Sequence, residues 1–255
     1  MKVLISGAGP AGLAAAYWLK RYGFTPTIVE RAPHLLVGGY KIDLRGAALQ
    51  VIKQMGIHDA IVAARTDMQG AQLVDKEGKV IERMSGDEFG HRVTGDLEIV
   101  RGTLCEILRD HLGEVELLFG DTIQGITQTS NSVQIQFTKN GVREFDCVIG
   151  ADGLHSNVRR IAFGDESRFL RDLGLYLCVY SVPNYSKKWT GWRFNTPSWV
   201  GLRRSGVLAV MQMPRPVLAL RPRLFGLICE TGLISSKRSE RSMKESAGRS
   251  PGFWK

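Results

Sequence analysis

K-V-L-I-S-G-A-G-P-A-G-L-A-A-A-Y-W-L-K-R, residues 2–21, followed by T-I-V-E at 27–30, decides the fold of this 255-residue chain. Lys2–Ser6 is a short apolar run that stops at glycine and reads as a buried strand. Ala11–Arg21, rich in alanine and leucine, reads as a helix. Thr27–Glu30 is a second β-branched run, set off by Gly23 and Pro26. Strand, glycine turn, helix and parallel strand make a βαβ unit. Its turn is Gly7-Ala8-Gly9-Pro10-Ala11-Gly12. In such a turn Gly7 permits the tight bend, Gly9 lets a pyrophosphate approach the backbone, and Gly12 lets helix and strand pack closely. The helix start adds free N–H groups and partial positive charge. Glu30 closes the second strand, where an acidic side chain can take a ribose hydroxyl. These residues predict a dinucleotide ligand without choosing between NAD and FAD.

Beyond this unit, Arg31–Arg45 reads as a loop broken by Pro33, Gly38 and Gly39, and Gly46–Met55 as a helix closed by Gly56. Ala71–Met84 reads as a hairpin turning at Asp75-Lys76-Glu77-Gly78. Arg101–His111 carries Leu104, Ile107 and Leu108 at helical spacing. Three strands are expected at Asp121–Thr129, Ser132–Thr138 and Arg143–Gly150, with Lys139-Asn140-Gly141 as the turn between the last two. His155–Phe163 reads as a short helix. Leu173–Pro183 and Trp189–Met213 read as strands of a second sheet. The expected architecture is α/β, a Rossmann-like domain interleaved with a mostly antiparallel sheet. The predicted division is 1–70 with 98–170, then 71–97 with 171–222, then a disordered tail over 223–255.

Three further segments resemble the class A FAD-dependent monooxygenases, the group that includes p-hydroxybenzoate hydroxylase and the tetracycline-inactivating monooxygenases. They are Glu30-Arg31-Ala32-Pro33, Gly38-Gly39-Tyr40-Lys41-Ile42-Asp43-Leu44-Arg45-Gly46, and Cys147-Val148-Ile149-Gly150-Ala151-Asp152-Gly153 with the helix after it. The resemblance runs from Met1 to about Pro222. It implies FAD as cofactor, held by Gly7, Gly9, Pro10, Ala11, Gly12, Glu30, Arg31, Arg45, Arg101 and Asp152. In such a site Glu30 binds the adenosine ribose and Arg31 lies near the adenine. Arg45 counters the pyrophosphate or an incoming nicotinamide, and Arg101 reaches the FAD phosphate or ribitol. Asp152 supports the pyrophosphate region. Read from the residues alone, the alternatives are a loop-capping role for Arg45, a plain helix-start position for Arg101, and a helix cap for Asp152 or Ser156. The implied activity is NAD(P)H-consuming hydroxylation of a small aromatic or polycyclic molecule with O2, through a flavin C4a-hydroperoxide. No protein nucleophile is expected, since the cofactor carries the chemistry. Tyr176, Tyr180, Trp189, Trp192, Phe194 and Trp199 are candidates to line the substrate pocket, or to pack a core.

The family's second flavin motif, G-D-A-A/S-x-x-x-P, is missing from the sequence. Gly86-Asp87, Gly95-Asp96, Gly120-Asp121 and Gly164-Asp165 stand in other contexts. The expectation is therefore a truncated or frameshifted member with weak FAD affinity, the alternative being a non-catalytic FAD-binding remnant.

Composition narrows the rest. The net charge is +9, but six of the basic residues fall between Lys237 and Lys255 against Glu240 and Glu245. That pattern reads as a solvated tail and not as a nucleic-acid surface. Four cysteines without a C-x-x-C pair read as reduced, buried thiols of a cytoplasmic protein. The five histidines show no metal-ligand spacing. Val3–Leu19 is too short and glycine-broken for a membrane span, and is not read as a targeting segment.

Overall fold

The computed structural model describes residues 1–37, 39–66, 70, 80–85, 87–88 and 95–171, and the strand backbones of 71–74, 175–182, 192–196, 199–202 and 207–214. Contacts divide the chain into two compact units, Met1–Asp67 with Val93–Arg171, and Met68–Arg92 with Asp172–Lys255. The fold class is the expected α/β.

The first unit is built on β1 (Lys2–Ser6), β2 (Thr25–Glu30), β7 (Glu116–Phe119) and β11 (Cys147–Gly150). They form one parallel sheet in the order β11-β1-β2-β7. Alternation along β1 separates two cores. Val3 and Ile5 join the core beneath α1 (Pro10–Arg21), while Leu4 joins a second cluster with Ile123, Ile135, Phe137, Phe145 and Val158. Leu4, Ile5 and Ile28 are fully buried. Each such side chain stabilises the fold by roughly 1.5–3 kcal/mol over leaving it in water. Pro26 lies inside β2 but does not break it. It pairs only with Val3, because the ladder to β7 starts one residue later at Thr27. Its missing N–H therefore deprives no second neighbour.

The helix α1 starts with Pro10, whose fixed φ suits a first helical residue. It ends at Tyr22 and Gly23 (φ +80°), with Lys20 and Arg21 in its last turn, where cations suit the helix dipole. Leu13 and Ala16 are on its buried face.

Several expected boundaries change. The expected loop Arg31–Arg45 contains β3 (Lys41–Leu44), which pairs antiparallel with an unexpected strand, β6 (Leu97–Val100). Both are four residues long, too short for a period to show in the sequence. The unexpected β7 runs E-L-L-F and is a strand because β2 lies beside it. The helices α2 (Ala47–Gln54) and α3 (His58–Ala64) follow β3, and α4 (Arg101–Leu112) follows β6 without a linking residue.

The expected strand Arg143–Gly150 is two strands. β10 (Val142–Phe145) pairs antiparallel with β9 (Val133–Phe137), which pairs with β8 (Ile123–Gln128), while β11 joins β1 in parallel. Asp146 makes the switch. Its N–H donates to the Lys2 carbonyl at 2.9 Å, and its carboxylate accepts the Lys2 N–H at 2.6 Å. Gly141 (φ +67°) closes the β9–β10 hairpin at the expected turn. The expected last helix is α5 (Asn157–Phe163).

In the second unit, β4 (Gly70–Val74) and β5 (Val80–Ser85) pair antiparallel. They extend to β13 (Trp192–Thr196), parallel to β4, and β14 (Trp199–Leu202), antiparallel to β13. β12 (Leu175–Val182) pairs antiparallel with β15 (Val207–Pro214). The expected Asp75–Gly78 turn, the aromatic candidates for the pocket and the tail over 223–255 lie outside the described residues or their described side chains.

Candidate dinucleotide site

The glycine turn stands at the carboxyl end of β1, where β1, β2 and β11 converge. Gly7 has φ +108°, a conformation costly for any residue with a Cβ. Its N–H donates to the Val29 carbonyl at 2.7 Å, which ties the turn to β2. A Cβ on Gly7 would also meet the Ala151 carbonyl oxygen at 2.6 Å. Gly12 is more constrained still, since a Cβ there would lie 1.9 Å from the Gly7 carbonyl oxygen. The two glycines are thus a packing pair that lets α1 begin hard against β1.

Gly9 differs. A Cβ there would meet only the Arg101 guanidinium, at 3.1 Å. Pro10 has no N–H, and the N–H groups of Ala11 and Gly12 precede the first i−4 bond, in which Leu13 donates to the Gly9 carbonyl at 3.0 Å. Ala11 is exposed. Arg101 opens α4, where the helix dipole disfavours a cation. Its backbone N–H donates to the Tyr40 carbonyl at 3.0 Å. Among the described residues its guanidinium has no hydrogen-bond or ion-pair partner. An unpaired cation over a turn with free N–H groups attracts an anion.

Glu30 ties the turn to the following loop. One carboxylate oxygen accepts the Ala8 N–H at 2.9 Å and the other the Ala32 N–H at 2.8 Å. Each keeps a lone pair for a hydroxyl donor. Arg31 is exposed beyond it. Arg45 follows β3 and is paired with Asp43 at 2.8 Å and Asp96 at 3.4 Å.

Asp152 reaches the turn from β11, whose end is joined to β1 by the Ala151 N–H donating to the Ser6 carbonyl at 2.8 Å. Its carboxylate serves α5. One oxygen accepts the N–H groups of Asn157 at 2.8 Å and Val158 at 3.1 Å, the other the Ser156 hydroxyl. Ser156 in turn accepts the Arg159 N–H at 3.0 Å. The two candidate caps therefore share the helix end. Ser6, which the sequence did not single out, donates its hydroxyl to the Asp152 carboxylate at 3.4 Å.

Cys105 lies one turn into α4. Burial pushes its thiol up from the usual cysteine range, only partly offset by the positive charge of Arg101. Cys147, expected to be buried, is exposed. It lies on β11, at the outer edge of the parallel sheet, where no further strand covers it among the described residues. The described residues hold no cluster of His, Cys, Asp or Glu able to take a metal ion, and no described helix is long and apolar enough to cross a membrane.

A turn that aims bare N–H groups and an arginine at one spot suits a diphosphate, and on the end of a parallel sheet it defines a dinucleotide-binding α/β protein. Ancestry decides which dinucleotide: the chain belongs to the FAD binding domain family, whose model matches residues 1–215. FAD is the cofactor of that family. The chain is 43% identical over 184 residues to a flavin-dependent monooxygenase from an unknown prokaryotic organism, covering 72% of this chain and 48% of that protein. It is 39% identical over 185 residues to a flavin-dependent monooxygenase of Legionella longbeachae serogroup 1 (strain NSW150), covering 72% and 48%. Its structure matches tetracycline destructase Tet(55) with a TM-score of 0.72 at 37% identity, covering 84% of this chain and 56% of that one. The chain spans about half the length of the curated relatives it matches.

Proposed function

We propose that the protein is an FAD-dependent, NAD(P)H-consuming monooxygenase of a small aromatic or polycyclic organic molecule. The observation that carries this is the Arg101 guanidinium beside Gly9, without a partner among the described residues, in a chain of the FAD-binding family. The tetracycline destructase likeness supports a polycyclic substrate. The cysteine pattern supports a cytoplasmic setting.

Gly7, Gly9, Pro10, Ala11 and Gly12 would form the diphosphate cradle, with Arg101 as its counter-charge. Glu30 would accept from the adenosine ribose, with Arg31 toward the adenine. Asp152 would act through the α5 end that it caps, and Arg45 would meet the FAD pyrophosphate or the nicotinamide donor. When bound, FAD supplies electron transfer from NAD(P)H to O2. The protein's own part is to bind, orient and exclude water.

The test is a visible spectrum and FAD titration of the purified chain, then NADPH oxidation in air with hydrogen peroxide measured in parallel. A yellow protein that oxidises NADPH, with product from an aromatic substrate, supports the proposal. A yellow protein without NADPH oxidation supports FAD binding without turnover. A colourless protein that binds NAD in place of FAD overturns both.

A further inference from the structure

Two strands of four residues carry a buried charge pair, Lys41 and Glu98, that the dinucleotide site does not use. On the β3–β6 ribbon Lys41 lies opposite Val100 and Asp43 opposite Glu98, so Lys41 and Glu98 are diagonal neighbours on one face. Lys41 Nζ stands 2.9 Å from Glu98 Oε1, with their side chains 14% and 5% exposed. Thr66 donates its hydroxyl to the same carboxylate oxygen, and its N–H to the Glu98 carbonyl at 2.8 Å. The opposite face, Ile42, Leu44, Leu97 and Ile99, packs into the core beneath the helices. Arg45 with Asp43 and Asp96 continues the charged face.

A buried ion pair adds little net stability, because both charges lose water. Breaking it is costly, because the charge that remains loses its buried counter-charge. Such a pair is therefore a register lock, since sliding the ribbon by one residue would unpair Lys41 and Glu98. The register bears on the dinucleotide site because β6 runs directly into α4. Val100 is succeeded by Arg101, whose N–H to the Tyr40 carbonyl is the rung next to the Lys41–Val100 pair. The same rung brings the Arg101 Cβ near Gly39, where a Cβ would meet it at 3.9 Å. The ribbon thus sets the origin of the side chain that ends over Gly9.

We propose that Lys41, Glu98 and Thr66 are positioning residues for Arg101, and that they act on FAD affinity only through it. This rests on Gly9 and Arg101 being the dinucleotide site. The experiment is FAD titration by flavin fluorescence on the full chain, comparing the parent, Arg101→Ala, Glu98→Gln and Glu98→Gln with Arg101→Ala, each with a thermal midpoint. Glu98→Gln should weaken FAD binding about five- to tenfold when Arg101 is present. In the Arg101→Ala background it should change affinity less than about twofold. General loosening of the fold would instead weaken binding equally in both backgrounds.

A second pair of variants covers a misfolded Glu98→Gln. Lys41→Met with Glu98→Met removes both charges while filling the space, which folded proteins tolerate well, and should show the same dependence on Arg101. Equal losses in both backgrounds, or no loss from either change, would overturn the inference while leaving the site intact. If Arg101→Ala alone binds FAD as well as the parent does, the site itself is misassigned and the inference falls with it.

Discussion

Gly12→Ala and Gly9→Ala add the same methyl group three residues apart and should fail in different ways. At Gly12 the added carbon would sit 1.9 Å from the Gly7 carbonyl oxygen, 3.1 Å from the Gly7 carbonyl carbon and 3.3 Å from Ile5 Cγ2. The first two are backbone atoms and cannot rotate away. Relief to a 3.0 Å contact requires α1 to move at least about 1.1 Å off β1, and close-packed interiors do not absorb such a shift. Leu13 and Ala16 would lose contact with the core they bury in. Overpacking typically costs about 1–3 kcal/mol, and a clash with rigid backbone stands at the upper end of that range, about 3 kcal/mol. That is a large part of a typical total of about 5–15 kcal/mol, and should lower the thermal midpoint by about 6–12 °C. At Gly9 the added carbon meets only the mobile end of Arg101, at 3.1 Å. The arginine can swing aside, so the midpoint should move by no more than about 3 °C. FAD affinity should still fall at least tenfold, because the methyl occupies the approach to the turn and displaces the counter-charge. Calorimetry and flavin fluorescence titration on both variants decide the matter. An unshifted midpoint in Gly12→Ala would refute the packing role, and unchanged FAD affinity in Gly9→Ala would refute the binding role.

Asp121 is 2% exposed. Burial raises its carboxyl pKa, but hydrogen bonds from the Asn140 side chain and the N–H groups of Thr122, Lys139 and Asn140 together hold it below the usual 3.8. With the folded value depressed, its stabilising effect is present above 3.8 and is lost as the pH falls through the folded value. Asp121→Asn should therefore cost about 2 kcal/mol at pH 7. Thermal melts should show the difference from the parent shrinking as the pH falls below 3.8; a gap as large at pH 2 as at pH 7 would refute the carboxylate's role. Cys147 is exposed and Cys105 buried with a raised pKa. Brief alkylation at pH 8, mapped by mass spectrometry, should label Cys147 and leave Cys105 unmodified until the protein is denatured.

The sequence by itself determined the βαβ unit and the placing of Gly7, Gly9, Gly12 and Glu30, because these depend on short-range geometry within thirty residues. It also carried the family likeness through the G-A-D-G stretch and its following helix. Tertiary structure alone decided where the chain changes sheets. Arg143–Gly150 looks like one strand, since a strand's period does not record its partner, and only the Lys2–Asp146 contact divides it. Likewise β3, β6 and β7 are four residues each, too short to announce themselves without neighbours. Gly120-Asp121 read as a motif out of place; the fold makes Asp121 the anchor of a hairpin turn eighteen residues later. The glycine turn is local chemistry, legible in order along the chain. The arginine that stands over it comes from some ninety residues away, and only the packing of β3, β6 and α4 brings it there.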